Sequence, residues 1–371
     1  MNSLNKRNFP LSTLYLYLTG SCNLNCRHCW IDPKFRESTK DISYNEIESI
    51  VREAIPLGLK GVKITGGEPL LHPEIIKVIY GLHSLNMRIG IETNGTLLSK
   101  EIVKAFKRTK TFVAVSLDGP SPEVNDYIRG VRGAFDKTLK GIRLLRREGV
   151  NFQIITCLYK GNRENLKEMI EFARDLGASS LKINPILPIS RAERMDGELL
   201  TTLEIINLHR EFEEEIMRME RPKVIFDIPI AFKSLKEIKR DGSGTCGILN
   251  ILGVLHDGTA ALCGIGEHIE EMKFGNILKI GIREIWEENE TLNLLRDSLP
   301  KNLKGICGDC IFKNYCLGKC RAQVFYEKRD LLAPFSFCQE AYDLGLFPEL
   351  RLWTNRERVE LAIDEKGLFA G

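Results

Sequence analysis

Short apolar runs alternate with longer amphipathic stretches through the N-terminal part of the chain. The short runs are rich in Val, Ile, Leu and aromatic residues, and they predict β-strands. They cover residues 14–18, 61–65, 88–92, 112–117, 152–158 and 180–185. The longer stretches repeat apolar residues at helical spacing and predict helices over 44–57, 73–85, 99–107, 134–148, 163–176 and 201–219. At the start of the first helix, Ser43 and Glu46 form a capping-box pattern.

Six strand–helix repeats in uniform order predict an α/β fold, a parallel sheet with helices outside it, and they favour a partial (β/α)6 TIM-like barrel. In such folds the functional site lies at the C-terminal ends of the strands. Beyond about residue 225 the periodic pattern stops, and residues 241–247 are rich in turn formers. We therefore predict a barrel domain over 1–225, a cysteine-rich domain folded around metal over 226–345, and a helical tail over 346–371.

The chain has 371 residues, with 53 Lys and Arg against 50 Asp and Glu, which gives a net charge of +3. This balance excludes the strongly basic surface typical of nucleic-acid-binding proteins. No apolar run approaches the roughly 20 residues that a membrane-spanning helix requires, and the N-terminus lacks a signal-peptide core. We therefore expect a cytoplasmic protein with no nucleic-acid or membrane partner. Its 11 cysteines are then not disulfide-bonded, because that compartment keeps thiols reduced.

Ten of the 11 cysteines fall into spaced groups. The first group has the pattern C-x3-C-x2-C, and the distal group contains C-x2-C-x5-C-x3-C with further cysteines on both sides. The grouped residues are Cys22, Cys26, Cys29, Cys246, Cys263, Cys307, Cys310, Cys316, Cys320 and Cys338. Thiolates this close together select zinc, copper(I) or iron–sulfur clusters, so we predict metal ligation for all ten. Cys157 stands alone in a predicted strand, and we expect it in the core.

The first cysteine group supplies three ligands. A 4Fe-4S cluster held by three thiolates leaves one iron open to a non-protein ligand, and an open coordination site implies chemistry, as it does in catalytic zinc sites. For the distal group over 307–320, zinc is the main alternative, because C-x2-C followed by further cysteines also occurs in zinc modules.

Glycines and small polar residues follow several of the predicted strands. After the second strand come Gly66, Gly67, Glu68 and Pro69, where two glycines let the backbone approach a ligand closely and Glu68 adds a carboxylate. Three other strand ends and one loop add the candidate ligand contacts Asn94, Ser116, Asn184 and Arg129. The arginine is a candidate because its fork binds carboxylates in a bidentate manner. Taken singly, each residue is explained about as well by a turn or by a solvated loop.

The first cysteine group and the Gly-Gly-Glu-Pro turn on the next strand resemble the radical S-adenosylmethionine (radical SAM) superfamily, and the resemblance runs over roughly residues 10–220. The distal cysteines resemble the seven-cysteine SPASM domain of peptide and protein maturases, from Cys246 through Gly258 and Cys263 to Cys338. Together the two motifs account for ten of the 11 cysteines.

The resemblance implies cofactors and ligands. Cys22, Cys26 and Cys29 would hold a 4Fe-4S cluster whose open iron is chelated by SAM, and the turn 66–68 would bind the methionine ammonium. Asn94, Ser116 and Asn184 would contact the ribose or the carboxylate of SAM. One electron would cleave SAM to a 5′-deoxyadenosyl radical that abstracts hydrogen from the substrate. Two auxiliary clusters would be held, one by Cys307, Cys310, Cys316 and Cys338, and one by Cys246, Cys263 and Cys320.

The substrate is the least determined part of the prediction. We favour a ribosomal peptide, modified by a thioether or carbon–carbon crosslink or by oxidation. The first strand begins near residue 13, so we expect leader recognition, if any, to come from a separate protein. A ferredoxin or flavodoxin is the expected electron donor.

Three other functions remain open. A tetrapyrrole side-chain oxidative decarboxylase of the haem pathway is the runner-up, because the run 116–133 resembles both the peptide-cofactor and the haem-pathway branches. Formylglycine formation loses weight, because Leu252 and Gly264 stand where sulfatase maturases carry Cys and Asp. Outside enzymes, the alternative is a zinc-stabilised binding module, which leaves the three-cysteine group unexplained.

Overall fold

The computed structural model describes residues 9–242, 244 and 246–353. Its strands fall into one large sheet and one two-stranded sheet, the latter formed by β2 and β3. In chain order they are β1 Thr13–Tyr17, β2 Ser21–Cys22, β3 Lys34–Phe35, β4 Gly61–Thr65, β5 Arg88–Thr93, β6 Phe112–Ser116, β7 Phe152–Leu158, β8 Ser180–Pro185, β9 Lys223–Phe226, β10 Ile251–Val254, β11 Thr259–Ala261 and β12 Lys273–Asn276. All six predicted strands are present.

The large sheet has ten strands in the order β12-β11-β10-β1-β4-β5-β6-β7-β8-β9. From β10 to β9 every pair is parallel, and β11 and β12 continue the sheet antiparallel. Consecutive parallel strands require crossover connections, which the intervening helices supply. The predicted α/β fold with a parallel sheet is confirmed, and the C-terminal ends of β1 and β4–β8 lie along one edge.

The helices are α1 Tyr44–Ala54, α2 Ile75–Ser84, α3 Lys100–Thr109, α4 Pro122–Arg129, α5 Ala134–Arg147, α6 Leu166–Leu176, α7 Thr202–Arg218, α8 Leu235–Asp241, α9 Ile277–Ile280, α10 Ile282–Glu288, α11 Glu290–Ser298, α12 Gly305–Asp309, α13 Lys313–Cys316, α14 Arg321–Lys328 and α15 Ser336–Asp343. The capping box is present, since Glu46 N donates to Ser43 Oγ and Ser43 N donates to Glu46 Oε2 at 2.7 Å. None of the described helices combines the length and the hydrophobicity of a membrane span.

Alternation along the strands shows how the core forms. In β7, Ile154 and Leu158 are buried, whereas Ile155 and Cys157 between them are half-buried. Successive side chains of a strand point to opposite faces, so one face of the sheet carries the continuous apolar layer. Cys157, expected in the core, lies on the more open face, although its thiol is shielded from solvent and burial raises its pKa.

The described residues group into two compact units. The barrel unit comprises residues up to 200 together with 215–226 and 247–296, and the C-terminal unit comprises 201–214, 227–246 and residues from 297 onward. Strands β10–β12, in the predicted cysteine-rich domain, extend the sheet of the barrel unit. Of the predicted helical tail, the described part contains a short 3-10 turn, Glu349–Arg351, and residues 354–371 lie outside the described residues.

Candidate active site

The first cysteine group lies in the loop that follows β1. Cys22 is 6% exposed, and its Sγ accepts a hydrogen bond from Leu24 N at 3.4 Å. Burial raises the pKa of Cys22 to about 12 and that of Cys29 to about 11. Buried thiols stay protonated in the absence of a metal, so a metal or cluster has to displace these protons on binding. Three thiols on an irregular loop are a donor set that suits an iron–sulfur cluster.

Backbone hydrogen bonds connect the cysteine loop to α4, the helix that follows β6. Asn25 N donates to Arg129 O at 3.2 Å and Arg27 N donates to Ile128 O at 2.9 Å, both at the C-terminal end of α4. The next residue, Gly130, has a φ of +67°, and a Cβ at this position would collide with Asn25 O. The close approach of helix and loop therefore requires glycine at this position.

The Gly-Gly-Glu-Pro turn packs against the same loop. Gly67 N donates to Thr19 O and Glu68 N donates to Ser21 O, each at 2.8 Å. A Cβ on Gly67 would collide with Ser21 O, and Gly66 has a φ of +124°. The turn continues into a 3-10 segment, Pro69–Leu71. The two glycines therefore serve the packing of turn against loop, a role that the sequence alone did not distinguish from ligand contact.

The Glu68 carboxylate joins the turn after β4 to the end of β5. It is 1% exposed and accepts hydrogen bonds from Thr93 Oγ1 at 2.6 Å, Asn94 N at 2.8 Å and Leu70 N at 3.1 Å. The Asn94 side chain in turn donates to Asn23 Oδ1 at 2.8 Å, within the cysteine loop. Glu68 and Asn94 were both predicted as ligand contacts. The structure shows that the Glu68 carboxylate connects the end of β4 to the end of β5, and that the Asn94 side chain connects β5 to the cysteine loop.

Glu68 makes stability depend on pH. Burial raises the pKa of Glu68 to about 7 from 4.5, although its three donors act in the opposite direction. The folded protein then holds this proton more tightly than the unfolded chain, so the contribution of Glu68 is present below about pH 4.5 and is lost as the pH rises to about 7. Between these two pH values we expect the unfolding free energy of wild type to fall by on the order of 3 kcal/mol relative to that of Glu68→Gln. Anaerobic urea denaturation at about pH 5 and about pH 7.5 measures the difference.

The matched control for this titration is Glu171→Gln, at an exposed position on α6. It should leave the pH dependence of the denaturation midpoint as in wild type. A Glu68→Gln variant whose midpoint follows wild type at both pH values would contradict the raised pKa.

Asn184 differs from Glu68 and Asn94 because its side chain has a buried polar atom to spare. Asn184 Oδ1 is buried without a hydrogen-bond partner in the described part of the chain. Ser116 ends β6 and is half-buried, and Asn184 lies opposite Cys157 in the pairing of β7 with β8. Buried polar atoms without a partner are rare in native proteins and mark places where a ligand or water completes the hydrogen bonding. Of the predicted contacts, Asn184 therefore has capacity for a ligand.

Arg129 forms a buried ion pair with an aspartate that the sequence analysis did not select. Its Nε lies 2.7 Å from Asp118 Oδ2, and the two side chains are 8% and 0% exposed. Arg129 Nη1 donates to Cys26 Sγ at 3.8 Å, and Cys157 N donates to Asp118 Oδ1 at 2.8 Å. The fork of Arg129 therefore joins Asp118 to the cysteine loop. The available signal was a charged residue just after an apolar strand, since Asp118 follows the run 112–117 directly.

A pocket beside Cys26 is lined by arginines. Its wall consists of Asn25, Cys26, Arg27, Asp32, Arg191, Arg194 and Met195. Arg27 is held by Glu198 through two hydrogen bonds of 2.8 Å, and Arg191 pairs with Asp32 and donates to Asn25 Oδ1 at 2.7 Å. Arg194 is exposed, and no carboxylate in the described part of the chain is paired with it. None of the three arginines could be selected from the sequence, because Arg27 is far along the chain from Arg191 and Arg194.

In the C-terminal unit, four cysteines of the distal group line one cavity. They are Cys307, Cys310, Cys316 and Cys338, and Ile230, Gly318 and Phe347 complete much of the wall. Burial raises the pKa of every one of these thiols, to about 12 for Cys310. The cavity brings Cys338 to the other three across the intervening helix α14, as the predicted ligand set requires.

The three remaining predicted ligands occupy separate positions. Cys246 lies in the C-terminal unit, Cys320 precedes α14 in that unit, and Cys263 follows β11 in the barrel unit. Over the described residues, no three Cys, His, Asp or Glu side chains are arranged tightly enough to hold a single metal ion. Ligation of clusters by the cysteines is therefore an inference from their chemistry, motif and family.

Comparison with known proteins places the chain in a family. A model of the radical SAM superfamily matches residues 16–173, and a model of SPASM, an iron–sulfur cluster-binding domain, matches residues 246–311. The AdoMet-dependent heme synthase of Methanosarcina barkeri is 31% identical over 342 residues, which cover 86% of this chain and 94% of that protein. The chain belongs to the radical SAM superfamily. Its predicted C-terminal SPASM region and its enzymatic nature are confirmed as well.

This radical SAM enzyme is also similar to proteins named for peptide pathways. AlbA of Bacillus subtilis, an antilisterial bacteriocin subtilosin biosynthesis protein, is 26% identical over 309 residues, 81% of this chain and 65% of AlbA. Streptococcus suis SuiB, solved bound to its precursor peptide SuiA, superposes with a TM-score of 0.72 at 18% identity, over 90% of this chain and 76% of SuiB. The latter likeness shows the shared fold. As a member of the family the enzyme uses SAM and a 4Fe-4S cluster, and its SPASM region binds auxiliary iron–sulfur clusters.

Proposed function

We propose that this enzyme oxidatively decarboxylates the propionate side chains of a tetrapyrrole on the way to haem. The observation that carries the proposal is the match to a haem synthase along 94% of that protein at 31% identity. AlbA, whose name belongs to a peptide pathway, matches at 26% and over 65% of its length. The haem-pathway alternative is therefore better supported than the peptide substrate favoured by the sequence analysis.

The electrons of the reaction balance, because the substrate releases one electron and the reductive cleavage of SAM consumes one. When bound, the cluster and SAM supply a 5′-deoxyadenosyl radical that takes one hydrogen atom from the substrate. Removing one hydrogen atom, one carbon dioxide and one electron from a propionate carboxylate leaves a vinyl group. The electron needs an acceptor, and the cavity lined by Cys307, Cys310, Cys316 and Cys338 is where this chain would hold an iron–sulfur acceptor. We assign Cys246, Cys263 and Cys320 to a second auxiliary cluster.

The chain's own residues would bind and orient the reactants. We assign cluster ligation to Cys22, Cys26 and Cys29, and contacts to SAM to Ser116 and to Asn184, whose buried Oδ1 has no partner among the described residues. Glu68 and Asn94 then act by positioning the cysteine loop, and the methionine ammonium falls to backbone carbonyl groups of the turn that begins at Gly66. Pro69 starts the 3-10 segment that fixes the direction of this turn.

The arginine-lined pocket supports a carboxylate-bearing substrate. Arg27 and Arg191 are oriented by Glu198 and Asp32, and Arg194 is exposed beside them. Guanidinium groups recognise carboxylates through paired hydrogen bonds, and such pairs are stronger than neutral ones. Cys26 lines the same pocket, so a propionate bound there would lie next to the cysteine loop.

Iron coproporphyrin III, a porphyrin with four propionates, is the test substrate. We expect the anaerobically reconstituted enzyme, with SAM and dithionite, to convert it to products that have lost carbon dioxide and two hydrogens per side chain, with matching formation of 5′-deoxyadenosine. Mass spectrometry of the porphyrin measures this. Unchanged porphyrin together with modification of a supplied precursor peptide would instead establish peptide maturation.

Arg194→Gln tests the pocket. Loss of one charge-assisted hydrogen bond, about 1.5 kcal/mol, should raise the KM for the porphyrin about tenfold with a smaller change in kcat. The control is Arg283→Gln, at an arginine of α10 that pairs with Glu287 and is 53% exposed. Equal KM values for both variants and wild type would place substrate binding elsewhere.

A further inference from the structure

A fully buried arginine lies beside the cysteine-lined cavity of the C-terminal unit. Arg321, the first residue of α14, is 0% exposed. Its Nη1 donates to Leu331 O at 3.1 Å and to Ala333 O at 2.7 Å, and its Nη2 donates to Gly318 O. Gly318 lines the cavity, and a Cβ on it would lie 2.7 Å from Arg321 Cζ. The guanidinium thus packs directly against the cavity wall.

The charge of Arg321 is not balanced by a carboxylate. In the described part of the chain no carboxylate lies within ion-pair distance of it, and its three acceptors are neutral carbonyl groups. Asp330, which senses its charge weakly, is paired with Lys304 at 2.6 Å. A guanidinium stays protonated in proteins, and an uncompensated buried charge is costly.

A neighbouring lysine, unlike Arg321, is paired with a carboxylate. Lys319 also lies near the thiols, but its ammonium pairs with Asp227 at 2.5 Å. The titratable side chains near Arg321 are thiols instead of carboxylates. These thiols belong to Cys307, Cys316, Cys320 and Cys338. A negatively charged occupant of the cavity would therefore supply the missing compensation.

Arg321 also has a hydrogen-bond donor to spare. Its Nε is buried and has no acceptor among the described residues. Buried N–H groups in native proteins are almost always satisfied, so an acceptor from outside the polypeptide is expected at this position. Sulfur atoms of iron–sulfur clusters accept such hydrogen bonds, and these bonds tune the reduction potential.

We propose that Arg321 is the charge-compensating and positioning residue of the auxiliary cluster assigned to Cys307, Cys310, Cys316 and Cys338, and that it sets the reduction potential of this cluster. The inference rests on that proposed ligation. One-electron reduction adds one negative charge, and no bond forms or breaks. A buried positive charge and a donated hydrogen bond both favour the more negative state. Arg321 therefore raises the reduction potential of this cluster.

The test uses a chain in which Cys22, Cys26 and Cys29 are replaced by alanine, so that only auxiliary clusters contribute to the spectra. Anaerobic redox titration followed by electron paramagnetic resonance gives the midpoint potentials, and iron analysis shows whether the clusters are bound. We expect Arg321→Gln to shift the midpoint of one cluster to a more negative potential. Arg321→Lys keeps the charge but loses the planar fork, so its shift should be in the same direction and smaller.

The control is Arg296→Lys, which changes an arginine of the barrel unit that is 8% exposed and donates to Trp286 O at 2.6 Å. It should leave the midpoints unchanged.

Unchanged or more positive midpoints in Arg321→Gln with full iron content would overturn the inference. If the Gln variant loses iron or fails to fold, the Lys variant decides by the same criterion. A parent without any auxiliary-cluster signal would overturn the ligation itself, and the porphyrin assay tests the substrate separately.

Discussion

The Cys26→Ala variant is expected to lose reductive cleavage of SAM completely while its C-terminal unit keeps most of its iron. Cys26 lies in the loop whose three thiols we assign to the catalytic cluster, and Arg129 donates to its Sγ at 3.8 Å. The catalytic cluster needs all three thiolates as ligands. A variant that keeps only two of them does not hold the cluster, so no radical forms. Chromatographic measurement of 5′-deoxyadenosine and iron analysis of the purified variant check the two halves of this result.

Cys157→Ala is the matched control for that variant. Cys157 is also a shielded thiol near Cys26, and its backbone N–H, which the substitution retains, makes the bond to Asp118. We expect this variant to cleave SAM as wild type does. Production of 5′-deoxyadenosine by Cys26→Ala at the wild-type level would refute the ligand assignment. Colourless protein without iron would favour zinc, whereas three clusters correspond to roughly 8 to 12 irons per chain and a brown colour.

The Asp118→Asn variant is expected to be destabilised by about 3 to 5 kcal/mol, the usual cost of breaking a buried ion pair on one side. Asp118 is 0% exposed, and its loss of charge leaves Arg129 buried without its partner at 2.7 Å. The same substitution weakens the bond that Cys157 N donates to the carboxylate. Anaerobic guanidinium denaturation of the iron-loaded protein measures the change in unfolding free energy.

Two comparisons make this result specific to the ion pair. Breaking the exposed pair of Arg283 and Glu287 on α10 with Arg283→Gln should cost at most about 0.5 kcal/mol. Replacing both Asp118 and Arg129 by apolar residues should cost less than Asp118→Asn alone, since no unpaired charge then remains. A double variant that is less stable than the single variant would show that the pair acts mainly through its other contacts.

The repeating part of the fold could be predicted from the sequence because its signals are local. Strands β4, β7 and β8 have the predicted bounds, since short apolar runs between turn residues are typical of buried parallel strands. Helix α4 was missed because its eight residues are too few to show a clear periodicity. Strand β9 and strands β10–β12 are only three or four residues long, and their place in the sheet depends on pairing with distant strands.

The candidate site likewise has features that could be predicted from the sequence and features that could not. The cysteine spacing and the Gly-Gly-Glu-Pro turn are contiguous motifs, so the sequence displays them directly. The role of Glu68 could not be predicted, because it depends on Thr93 and Asn94 reaching its carboxylate from the neighbouring strand. Asp118 was overlooked for a similar reason, since its partner Arg129 follows at the far end of a helix that the sequence analysis did not recognise.

By itself the sequence determined the α/β fold, the family and the grouping of ten cysteines, because periodicity and ligand spacing are properties of neighbouring residues. Only the tertiary structure decided which polar groups the protein uses for itself and which it leaves to a ligand. Burial and hydrogen bonding between distant segments make that difference: Glu68 is satisfied, Asn184 has an atom to spare, and Arg321 carries a charge that no described carboxylate neutralises.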